Sequence, residues 1–81
     1  MQIFNHLQGL ELVNFRNDVR GLTNKQLFKE VRQLHDQIKE VATCKESFHG
    51  IPKHRVEYRL TQERAIYRHE MDARGKTLPK L

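Results

Sequence analysis

Residues 21–48, "GLTNKQLFKEVRQLHDQIKEVATCKESF", decide the fold of this chain. Thr23 and Gln26 form a capping-box pattern, and Leu22 and Leu27 on either side are placed for a hydrophobic staple, so a helix starts at Thr23. From there Leu27, Val31, Leu34, Ile38 and Val41 recur at alternating spacings of four and three, the narrow seam of a coiled coil. Lys45 falls where the next seam residue belongs and Phe48 resumes the pattern, so the predicted helix covers 23–48. The opposite side, with Lys25, Lys29, Arg32, Asp36, Lys39 and Glu40, mixes both signs and reads as a solvated face. With Leu34 and Ile38 buried between helices, truncating either to Ala should cost about 2–5 kcal/mol.

Outward from that stretch, "SFHGIPKH" over 47–54 is the only Gly-Pro punctuation in the middle of the chain. Gly50 suits a left-handed helix cap, and Pro52 is pre-set for the first turn of a new helix. So short a connection predicts a second helix over 52–74 folded back antiparallel on the first. There Val56, Leu60, Tyr67 and Met71 lie within a stripe about 60° wide, with Glu63 at its edge. Arg74 favours the helix dipole in the last turn, Gly75 is the cap, and the tail 75–81 packs locally or frays.

Residues 1–21 carry two weaker patterns. Ile3, Phe4, Leu7 and Leu10 suit one helical face, which Gly9 interrupts. Leu12, Val13, Phe15 and Val19 suit another, weakened by Asn14, Asn17 and Asp18. They predict one or two short helices laid across the hairpin, with a strand over Leu10 to Phe15 as the alternative. The expected fold is therefore all-α: one domain over 1–81, a long antiparallel, coiled-coil-like helical hairpin with a short helical N-terminal segment.

A chain of 81 residues sits where one core supplies only about 3–5 kcal/mol of net stability, so help from a partner or a second copy is expected. Phe4, Phe15, Phe28 and Ile66 lie off the apolar stripes, which points to cover by residues 1–21 or to a homodimer. With 31% charged and 37% apolar residues and no run of membrane-spanning length, a membrane partner is not expected. The start "MQIFNHLQGL" lacks the pattern of a secretory signal, and Cys44 is the single cysteine, so a cytoplasmic protein without a disulfide is expected.

A net charge of +5 directs attention to acidic partners, either protein surfaces or nucleic acid. Residues 52–81 hold eight Lys and Arg against four Asp and Glu. With Arg55 taken as zero, Arg59 lies near about 40° and Arg64 and Arg68 near about 180° and 220°, so the apolar seam has two basic flanks. Such flanks suit arginine stems covering the core edge, or a helix gripping phosphates or an acidic protein groove. The candidate partner-binding set is Arg55, Tyr58, Arg59, Arg64, Tyr67 and Arg68, with the two tyrosines as stacking or anchoring rings.

Cys44, His49 and His54 are the nearest approach to a metal set, with Glu46 or His35 as the fourth ligand it would need. Their spacing matches no compact zinc module, and no metal or cofactor is expected. Without a Gly-rich phosphate loop or a cleft for paired carboxylates, catalysis is not expected either.

The stretches "LTNKQLFKEVRQL" and "RLTQERAIYRHEM" resemble the small helical-hairpin protein near the exit tunnel of the large ribosomal subunit, in their Leu-Thr cap, Leu-rich first helix and Arg-rich second helix. The turn in "SFHGIPKH" departs from that family's connection, and the chain is not assigned to it. The expected job is docking onto a protein or nucleoprotein partner to modulate or inhibit it, as small accessory proteins of viruses and mobile elements do. An RNA- or DNA-binding module using the basic flanks, and a self-associating structural protein, are the alternatives.

Overall fold

A computed structural model describes residues 7–79 of the chain. It is mostly helical, with a small antiparallel strand pair: α1 (Gly9–Arg20), α2 (Asn24–Ala42), β1 (Ser47–Phe48), β2 (Ile51–Pro52) and α3 (Lys53–Ala73). The face expected over Ile3 and Phe4 lies outside the described residues.

The capping box at the start of α2 forms as read from the sequence. Gln26 donates its backbone N–H to Thr23 Oγ1 at 3.2 Å, and Gln26 Oε1 accepts from the Thr23 N–H at 2.9 Å. Leu22 and Leu27 both enter the core cluster. At its other end α2 stops at Ala42 instead of continuing to 48, and the reason lies in the chemistry of the next seam position. One more turn would carry Lys45 toward the core, an expensive burial for an unpaired ammonium. The chain leaves the helix at Thr43, whose hydroxyl donates to the Glu40 carbonyl, and Phe48 reaches the core from β1.

The expected all-α fold is thus corrected by one tight hairpin. β1 pairs β2 in the register Ser47↔Pro52 and Phe48↔Ile51, leaving His49 and Gly50 as a two-residue loop. Both have positive φ, 51° and 79°, as the favoured two-residue hairpin turn requires. Gly50 therefore serves this turn and not a helix cap. Pro52 is extended at the N-cap, one residue before the helix it was expected to begin.

α3 closes in a Schellman motif. Lys76 N–H donates to the Met71 carbonyl at 2.8 Å and Gly75 N–H to Asp72 at 3.1 Å, with Gly75 at φ 71°. Val56, Leu60, Tyr67 and Met71 are all buried, as their stripe predicts, and meet Leu27, Val31, Leu34 and Val41 from α2, Val19 from α1 and Phe48. Ile38 is only half-buried, while the adjacent Leu34 and His35 are both buried, so the buried face of α2 is not a narrow two-per-heptad seam.

Residues 9–20 form one helix, which excludes the strand alternative for Leu10 to Phe15. Gly9, at φ 57°, begins that helix and does not interrupt it. Glu11 in its first turn and Arg20 in its last suit the helix dipole. α1 packs on α3 and far less on α2, its neighbour in sequence. Phe15 meets Tyr67 edge to face at 5.6 Å, and Phe15, Phe28 and Ile66 all pack against the core, which reduces the reason for a second copy. Leu7 is anchored at mid-α3: its N–H donates to Gln62 Oε1 at 2.6 Å, and Gln62 Nε2 donates to its carbonyl at 3.1 Å.

Candidate docking groove

The six candidate residues do not form one surface. Tyr67 is a core residue, 6% exposed, and its hydroxyl is pushed up to about 12 by burial and by the nearby Glu30 and Glu63. Tyr58 stands outward at 58% exposed, and Arg55 is half-buried. Arg59 is held by Glu63 at 3.0 Å, one turn along the same helix. Burial raises the Glu63 carboxyl above its usual range, although Arg59 acts in the opposite direction.

Arg64 and Arg68 belong to the other flank, beside α2. Arg64 donates through Nε to His35 Nε2 at 3.2 Å. His35 is 6% exposed, and its pKa lies below 6.5, first because burial disfavours the imidazolium and then because Arg64 and Lys39 repel it, with Asp36 opposing. The ring is therefore neutral at pH 7, with Nε2 as acceptor and the proton on Nδ1. Among the described residues neither Arg64 nor Arg68 forms an ion pair, whereas Arg59 and Arg74 each hold a glutamate.

Between α2 and α3 these two arginines border a groove of about 420 Å³. Ile38, Val41, Ala42, Leu60 and Ala65 supply its apolar lining, and Glu57, Thr61, Arg64 and Arg68 the polar part. The small side chains of Ala42 and Ala65 leave the space, while Leu60 and Val41, each nearly fully buried, form the floor. A recess of about 210 Å³ shares Arg64 and Arg68 and adds Asp72, Lys76, Thr77 and Leu78. Lys53 donates from Nζ to the carbonyl of Ala42, one of the lining residues, at 3.4 Å.

The sequence offered His35 only as a fourth ligand for a metal set and did not pair it with Arg64, because an interhelical contact 29 positions apart leaves no local pattern. The role of Ile38 as a groove wall was likewise hidden by its place in the heptad. Among the described residues no group of three His, Cys, Asp or Glu side chains could hold a metal ion, and no helix is long and apolar enough to cross a membrane.

The His35 environment carries a pH prediction. A folded pKa below the unfolded value means that this residue's stabilising contribution is complete above about 6.5 and is lost as pH falls below it. Glu63, raised by burial, acts in the opposite sense toward the acid end. Urea unfolding between about pH 7 and pH 5 should therefore show a larger loss of stability in the parent than in His35→Gln, whose amide can still accept from Arg64 but does not titrate. Parallel losses in the two proteins would exclude His35 as the source.

In comparisons with known proteins, no family model matches the chain, and no curated protein or solved structure matches it.

Proposed function

We propose that this chain is a small non-enzymatic binding protein that docks onto a protein or nucleoprotein partner and modulates or inhibits it. The observation that carries the proposal is the α2/α3 groove, which joins an apolar floor to two arginines that form no ion pair among the described residues. Apolar depth gives affinity that survives salt, and a basic rim selects acidic partners. α2 and α3 act as the arms of an antiparallel hairpin, a reading supported by Lys53 meeting Ala42, Arg64 meeting His35 and Arg74 meeting Asn24.

Capture by the tagged full chain from native extract, with and without nuclease and across a salt series, tests the proposal. A bound partner should persist after nuclease, be lost with Arg68→Glu and be retained with Lys25→Glu/Lys29→Glu on the outer face of α2. Loss on nuclease treatment with a steep salt dependence would favour the alternative of RNA or DNA binding by the basic flanks of α3. Equal losses in both variants would leave only a net-charge effect.

A further inference from the structure

We infer that the α2/α3 groove takes an acidic amphipathic helix of a protein partner, seating its aliphatic side chains beside Ile38 and Leu60 and its carboxylates on Arg64 and Arg68. This rests on the proposed docking function and names the class of partner. A volume of about 420 Å³ suits a few anchoring side chains, the way a helix presents residues at i, i+4 and i+7 to a groove. A strand partner would need a sheet edge, and β1 and β2 are two residues each.

Charge complementarity decides the partner's sign. Among the described residues Arg64 is oriented by His35 through Nε, which leaves its terminal amino groups for a bidentate carboxylate, and Arg68 is exposed one turn further along α3. Lys76 in the adjoining recess extends the basic border. Glu57 and Asp72 are the acids on the linings of the groove and recess. Nucleic acid fits less well, because the groove lining contains no aromatic ring on which a base could stack, and aliphatic groups offer phosphates nothing.

The test is selection of phage-displayed 16-residue peptides on the full chain, followed by fluorescence-polarisation titration of the enriched peptides. The expected peptides carry Leu, Ile or Met at helical spacing among Asp and Glu. Their affinity should fall by about tenfold or more with Arg68→Glu and with Ala42→Leu, which fills the groove, and stay unchanged with Lys25→Glu/Lys29→Glu. All these positions are exposed, and circular dichroism verifies that each variant is folded. Enrichment of basic or uncharged peptides, no enrichment, or affinities indifferent to Arg68→Glu and Ala42→Leu would overturn the inference. Acidic peptides mapping by amide chemical shifts to the α1/α3 side would overturn the groove while leaving protein docking intact. Absence of peptide binding with tight, steeply salt-dependent binding of a single-stranded RNA oligonucleotide would overturn both.

Discussion

Leu60→Ala is expected to lower unfolding stability by about 3–5 kcal/mol, close to the whole stability available to a domain of this size. Leu60 is 1% exposed and faces the core as well as the groove floor, so truncation leaves a cavity that rigid neighbours on two helices fill only in part. Leu34→Ala, at a site 5% exposed, should fall near the lower end of that range. Ile38→Ala should cost only about 1–2 kcal/mol, because the half-buried side chain packs against the core from the groove wall without being enclosed by it. Urea titrations followed by circular dichroism rank the three. Equal costs for Ile38 and Leu60 would restore a continuous seam and remove the groove as an open surface.

Arg74→Ala should cost about 2–3 kcal/mol although the residue is not one of the buried hydrophobic side chains of the core. Its guanidinium joins three helices: it donates to Glu70 Oε2 at 2.7 Å on α3, to Asn24 Oδ1 at 3.0 Å at the start of α2, and to the Val19 and Arg20 carbonyls at 3.3 and 3.1 Å at the end of α1. Truncation leaves terminal carbonyls of α1 without this donor and a part-buried carboxylate without its cation. The loss should concentrate in α1, as faster amide hydrogen exchange there than in α2 or α3. Lysine should not rescue it, since a single ammonium cannot reproduce the planar fork. Uniform loosening of all three helices, or full rescue by Arg74→Lys, would show that Arg74 acts through charge alone.

The sequence revealed what is local or periodic. Thr23 and Gln26 announce a helix start because both partners lie within one turn, and the stripe from Val56 to Met71 announces a buried face because burial imposes a period. Gly75 was legible for the same reason, as a cap three residues from its acceptor. The end of α2 was misread because Phe48 resumes the heptad, although it reaches the core through a hairpin. The long-range contacts of Arg74, Gln62 and His35 carried no readable signal, since those partners lie 29 to 55 positions away and several are backbone atoms. Helical angles already set Arg55 and Arg59 on one flank of α3 and Arg64 and Arg68 on the other, and only the paths of α2 and α3 show that the second flank borders a groove.

The tether between Leu7 and Gln62 also sets an order of events during synthesis. A nascent chain emerges from its N-terminal end, yet α1 has its main packing partner, and Leu7 its hydrogen bonds, on α3, which is made after it. Until α3 is available, Phe15 and Val19 lack the surface that covers them, while α2 can already begin from its own capping box. The tight turn at His49 and Gly50 lets α3 return along α2, and α1, made before both, can complete its packing only once α3 is in place.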